Sequence, residues 1–132
     1  FYAAGGVNVV DVRDVVDGIY SAWKIGKKGE RYILAGENIT IQQLFQWIAG
    51  EAGVNPPWFL VPRWLLQLVG GLGDLLDRVG IRGPISKENA WTFTLYHWFD
   101  NSKARRELGF KPRPSMEAVR QSVQWMKQEK LL

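Results

Sequence analysis

The run Tyr20-Ser21-Ala22-Trp23-Lys24 sets a tyrosine and a lysine four residues apart. On a helix, positions i and i+4 share one face. An ammonium held beside a phenol lowers its pKa, and the tyrosine can then act as acid or base. A structural reading competes with this one. Tyr20 falls in an apolar series with Val16 and Trp23, so it is expected to point into a core. The structural reading is preferred, and no catalytic residue is assigned. Gly70-Gly71-Leu72-Gly73 has half the glycines of a dinucleotide-binding turn. Such a turn follows a strand and opens a helix; here the preceding segment reads as helix, and Leu76 stands where the third glycine belongs. It is read as a kink or break. Asp11, Asp14 and Asp17 could offer oxygens to a metal, but their spacing suits the positive end of a helix better. Asp100 precedes Asn-Ser-Lys-Ala and reads as a helix cap. Its carboxylate could also accept hydrogen bonds from ligand hydroxyls.

The elements that would position these groups follow from periodicity. Val7 to Val12 is a β-branched run and reads as a buried strand. From Asp14 the period becomes helical, with Val15, Val16, Ile19, Tyr20 and Trp23 on the apolar side. Asp11 or Asp14 can cap this helix, and Gly26 and Gly29 mark its end. Arg31 to Ala35 reads as a second strand and Gly36-Glu37-Asn38 as a turn. Thr40 and Gln43 form a capping box ahead of a helix that carries Ile41, Leu44, Phe45, Ile48 and Ala52 on one face and stops at Gly53.

Asn55-Pro56-Pro57 breaks the chain. Trp64 to Leu76 is an apolar helix, too short for a membrane span, and is read as a core or pocket-lid helix ahead of a membrane-surface one. Arg78 to Pro84 is loop-like, and Ser86 starts another helix through about Leu95. Tyr96 to Phe99 is extended. A short helix, Asn101 to Leu108, closes at Gly109, and Lys111-Pro112-Arg113-Pro114 is a stiff linker. Ser115 caps a last amphipathic helix with Val119, Val123 and Met126 on its stripe. Two βα units are too few for a complete doubly wound sheet. The expected fold class is α/β: the carboxy-terminal edge of a Rossmann-type sheet plus a mostly helical substrate-side cap, as one domain over residues 1–132.

Composition limits the chemistry. Of 132 residues, 46% are apolar and seven are tryptophan, which excludes a disordered tail. The net charge of +4 is spread along the chain without an aromatic platform, so no nucleic-acid partner is expected. The absence of cysteine excludes disulfides, thiolate metal sites and a cysteine nucleophile. His97 is the single histidine, so no histidine metal cluster is possible. A cytoplasmic location is expected. The start has no initiator methionine and no signal-peptide pattern, and the chain is expected to be cut from a longer one.

Val9-Val10-Asp11-Val12-Arg13-Asp14-Val15 resembles the late-strand signature of extended short-chain dehydrogenase/reductases. Gly29 to Asn38 is similar to the next strand and turn of that superfamily. Asp100 to Pro112 resembles its Asp-x-Ser-Lys-Ala-x-x-x-Leu-Gly-x-x-Pro segment, and Met116 to Lys127 its closing helix. The pieces come in the family's order and cover nearly the whole chain. Within the superfamily the chain looks like the dihydroflavonol 4-reductase-like and hopanoid-associated sugar epimerase branch.

The resemblance implies a parent that uses NAD or NADP, with the Gly-rich loop and the catalytic Ser and Tyr-x-x-x-Lys on a Rossmann portion ahead of Phe1. Tyr20 and Lys24 follow the late-strand signature, whereas the family's pair precedes it. No cofactor is therefore expected on this chain, and it is expected not to be an enzyme by itself. Its partners would be that amino-terminal portion and a small-molecule substrate. Asp100 matches a position that can contact the nucleotide ribose in sugar-nucleotide epimerases, and Arg63 and Tyr96 are further candidate substrate contacts. Those epimerases carry a diphosphate-gripping Arg where Val7 stands, so a less phosphorylated, more apolar substrate is expected. The alternative is a standalone binding or interaction module that kept the fold without the chemistry. Unpaired strand edges would make an isolated portion self-associate.

Overall fold

The computed structural model describes residues 2–62, 64–69, 71, 92 and 94–131. Two short strands, β1 (Tyr2–Ala3) and β2 (Gly6–Val9), lead into α1 (Val12–Ile25); β3 (Glu37–Thr40) runs directly into α2 (Ile41–Ala52). β4 (Leu60–Val61) follows, then α3 (Ser102–Leu108) and α4 (Ser115–Gln128). β1 pairs parallel with β4 and β2 antiparallel with β3, with Val7 opposite Ile39 and Asn8 opposite Asn38. The result is a mixed α/β fold. Residues 64–69 and Gly71 are helical, as the apolar run implied; Gly70 and residues 72–91, which hold the rest of that run, Gly73, the expected loop and most of the helix expected from Ser86 to about Leu95, lie outside the described residues.

Several boundaries follow from local chemistry. Asp11 caps α1 by accepting from the Arg13 amide, and Gly26 ends it. Thr40 and Gln43 make the reciprocal capping box at the start of α2. α2 and α3 end on left-handed residues, Gly53 and Gly109.

Three expectations need correction. Arg31–Ala35 is not a strand; the strand lies at Glu37–Thr40, where a turn was expected. Residues 31–35 keep the alternation of a strand, with Tyr32 and Leu34 turned inward and Arg31 and Ile33 outward. A strand, however, needs a ladder partner, and β2 extends along 37–40 instead. Ser115 is the first residue of α4, not its cap. Its fully buried hydroxyl donates to the Val9 carbonyl at 2.5 Å and accepts from the Glu37 amide, fixing α4 to β2 and β3.

The third correction concerns α1. Its apolar stripe faces solvent: Val12 is 73% exposed, Trp23 77% and Tyr20 54%. The buried face carries Asp14 and Gly18 instead. A Cβ on Gly18 would sit 2.7 Å from the Leu34 side chain, so the backbone of α1 lies directly against the 31–35 segment. Beyond it, Ala104, Leu108 and Phe110 form a core joined by Val10, Ala22, Tyr32 and Leu34. α2 packs on α4.

Candidate functional site

The residues that place Asp100 are asparagines. Asn8 bonds the Gly36 backbone, accepting its N–H at 2.9 Å and donating to its carbonyl at 3.3 Å. It also donates to Asn38 at 2.8 Å. Asn38 in turn accepts from the Phe99 amide and donates to the Phe99 carbonyl, both at 3.0 Å. A side-chain carboxamide thus does for Phe99 what a neighbouring strand would do. Next along the chain, Asn101 donates to the Ala35 carbonyl at 2.5 Å. The segment 96–101 is pinned at its Asp100 end by the Asn38 side chain of β3 and by its own Asn101 side chain, which reaches the Ala35 carbonyl.

Its Tyr96 end is pinned by backbone. Gly6 donates to the Leu95 carbonyl and accepts from the His97 amide at 2.8 Å, a parallel bridge centred on Tyr96. Tyr96 and Trp98 meet edge to face, with centroids 4.9 Å apart, over Gly6. A Cβ on Gly6 would collide with both rings. The Trp98 indole donates to the Ile39 carbonyl at 3.4 Å. Tyr96, Trp98, Phe99 and Asp100 are all exposed, giving a shelf of aromatic surface that ends in a carboxylate.

Asp100 accepts from the Ser102 amide at 2.9 Å and from the Ser102 hydroxyl at 2.7 Å. Those bonds, the hydroxyl first, hold its carboxyl below the ordinary value, with the charge of Arg106 adding to the effect. Each oxygen keeps a lone pair for another donor. Of the three candidate contacts, Tyr96 and Asp100 therefore share one exposed strip; Arg63 lies outside the described residues. Gly6, Asn38 and Trp98 were missed by sequence reasoning. The available signal was Asn8, a polar residue in the middle of a β-branched strand.

The other candidates resolve as structure. Lys24 lies over the Tyr20 ring face, 4.5 Å from its centroid, and Tyr20 leans on Trp23 at 5.9 Å. The ammonium stacks on the ring, and the pair sits on the exposed side of α1. Asp11 is held by Arg13 at 2.6 Å, and Asp14 by Arg113 at 3.1 Å. The hydrogen bond from Arg13 is the main reason the Asp11 carboxyl falls to about 2. No group of three or more ligating side chains could hold a metal among the described residues. Among the same residues, no helix is long and apolar enough to cross a membrane.

A dinucleotide does not fit the two strand–helix junctions. The β2–α1 turn, Val10-Asp11, has no glycine, and a buried carboxylate occupies the helix end where a pyrophosphate would sit. β3 passes into α2 with no turn at all, and Thr40 fills that helix end.

No protein-family model matches the chain. A putative dihydroflavonol 4-reductase of Synechocystis is 31% identical over 94% of the chain and 38% of its own length. Sterol demethylase protein B of Methylococcus capsulatus is 31% identical over 99% of the chain and 41% of its own length. Among solved structures, gox2253 is 36% identical with a TM-score of 0.79, over 97% of this chain and 39% of that one. A nucleoside-diphosphate-sugar epimerase from Pseudomonas aeruginosa is 26% identical with a TM-score of 0.73, over 97% and 37%.

The chain corresponds to the carboxy-terminal portion of an extended short-chain dehydrogenase/reductase. It spans about two fifths of the length of the curated relatives it matches. The Bordetella bronchiseptica enzyme WbmF, solved with NAD+ and UDP, shares the fold at 23% identity and a TM-score of 0.61, over 96% of this chain and 30% of that one. The late-strand signature of the reductase/epimerase portion is β2 with the start of α1, and its Asp-x-Ser-Lys-Ala segment is the Asp100 turn with α3. The aspartates of that signature act as cap and ion-pair anchors in this portion.

Proposed function

We propose that the chain is the substrate-side wall of an NAD(P)-dependent reductase or sugar epimerase, a single unit over residues 1–132 that performs no chemistry alone. The parent would use NAD or NADP in the cytoplasm, with the coenzyme held by a portion ahead of Phe1. The observation that carries this reading is the coverage: nearly all of the chain aligns with about two fifths of a reductase and of a sterol demethylase component. The strand–helix junctions present here suit capping and not a coenzyme.

Within that wall, Asp100 and Tyr96 contact substrate, and Arg63 is a third contact. Asp100 offers lone pairs to hydroxyls from a fixed turn, and Tyr96 offers an aromatic edge and a phenol. Val7 lies in β2 opposite Ile39, where an arginine would be needed to clamp a diphosphate. Trp58, Phe59 and Leu60 add exposed apolar surface close to β1. This balance favours a substrate with hydroxyls and a large apolar part over a nucleotide sugar. The test is the full-length polypeptide with Asp100→Ala. A KM raised about tenfold, with unchanged coenzyme affinity, supports the reading. Weakened coenzyme binding with unchanged KM contradicts it.

A further inference from the structure

Asn8 stands in β2 between Val7 and Val9, where a β-branched residue would suit the strand better. Its carboxamide is used at both ends. Oδ1 accepts from the Gly36 amide at 2.9 Å; Nδ2 donates to Asn38 Oδ1 at 2.8 Å and to the Gly36 carbonyl at 3.3 Å. These partners leave Asn8 one orientation, because the Gly36 N–H needs an acceptor and the Asn38 oxygen needs a donor. Asn38 takes its own orientation from this. Its Oδ1 receives the Asn8 Nδ2 and the Phe99 amide together, and its Nδ2 serves the Phe99 carbonyl. Turned over, Asn38 would set its Nδ2 against two donors and its oxygen against a carbonyl. Phe99 immediately precedes Asp100, whose carboxylate is held by Ser102.

We infer that Asn8 is a positioning residue for Asp100: it sets which way the Asn38 carboxamide faces, and Asn38 fixes the backbone that carries the carboxylate. The inference rests on the reading of Asp100 as a substrate contact. Asn8 acts through Asn38 and Phe99, not by touching substrate. A displacement of about 1 Å is enough to weaken a contact that depends on aimed lone pairs. What matters at position 8 is the donor, not the size. Asn8→Asp keeps the shape and the acceptor for Gly36 but turns a second oxygen toward Asn38 Oδ1. The Asn38 carboxamide must then turn over to offer its Nδ2, and both bonds to Phe99 are lost. Asn8→Ala removes the constraint without forcing that turn, so its effect is smaller.

Two measurements test this. In the 132-residue chain, hydrogen exchange at the Phe99 amide should accelerate roughly tenfold or more in Asn8→Asp, as expected for two lost bonds, and less in Asn8→Ala. The Gly53 amide, bonded to the Ala49 carbonyl, is the control and should not change. If Asn8→Asp disturbs Gly53 as well, Asn8→Ala carries the test. Unchanged exchange at Phe99 in a folded variant overturns the inference. In the full-length polypeptide, Asn8→Asp should raise KM about threefold or more with kcat and coenzyme affinity unchanged. It should add nothing to Asp100→Ala, because the two changes act on one contact. If Asp100→Ala raises KM but Asn8→Asp does not, or if the two effects add in full, the positioning role is wrong and the substrate reading stands. If Asp100→Ala leaves KM unchanged, the substrate reading falls and this inference with it; faster exchange at Phe99 would then mark Asn8 as purely structural.

Discussion

Asp14 holds Arg113 twice, accepting from its backbone amide at 2.8 Å and pairing with its guanidinium at 3.1 Å. The first contact fixes the course of the Lys-Pro-Arg-Pro segment; the second neutralises a carboxylate that is almost fully buried. Asp14→Ala leaves both Arg113 donors without this partner. A loss of about 1–3 kcal/mol is expected by urea denaturation, less than for a fully buried pair because Arg113 is partly exposed. No change in stability would show that the contact does not hold the segment.

Asp11 gives the fold a pH dependence of known sign. Its folded pKa is about 2, against an ordinary 3.8. A depressed carboxylate stabilises the folded state fully above the unfolded value. That contribution fades as pH falls below about 4 and is gone once pH has passed the folded pKa near 2. Denaturation free energies measured from pH 6 down to pH 2 should therefore fall less steeply in Asp11→Asn than in the parent chain. Equal slopes would mean that other carboxyls carry the effect.

Asn38 is expected to act through both halves of its carboxamide. Asn38→Asp keeps the acceptor for the Phe99 amide and loses the donor to the Phe99 carbonyl; Asn38→Ala loses both. Hydrogen exchange at the Phe99 amide should accelerate strongly in Asn38→Ala and much less in Asn38→Asp. Each lost bond should cost about 1 kcal/mol. Equal acceleration in the two variants would show that the clamp is not set by the acceptor.

Gly6 is expected to tolerate no side chain while Trp98 and Tyr96 lie over it. Gly6→Ala should lower stability by about 1–3 kcal/mol through overpacking. Trp98→Ala in the same chain should restore part of that loss, a coupling visible in a double-mutant cycle. Additive losses would mean that the rings move aside freely.

Much of the fold was legible because local chemistry decides it. Asp11, Thr40 with Gln43, Gly53 and Gly109 announce helix ends, and each sits where its capping chemistry requires. What sequence could not show was the partner of each surface. The helical period of Val16, Tyr20 and Trp23 reveals a stripe but not whether anything covers it. The alternation of Arg31 to Ala35 likewise suits a strand, yet gives no neighbour to pair with. The candidate site was half legible. Asp100 and Tyr96 stand out by type and order, but the grip of Asn38 on Phe99 spans 61 positions and leaves no local pattern.

The proposed division between a coenzyme-holding portion and a substrate-side wall is tested most directly by calorimetric titration of the 132-residue chain with NADPH and NADH. The expected result is no measurable heat of binding for either. Micromolar binding of either coenzyme to this chain would contradict that division, and with it the assignment of Asp100 and Tyr96 to the substrate alone.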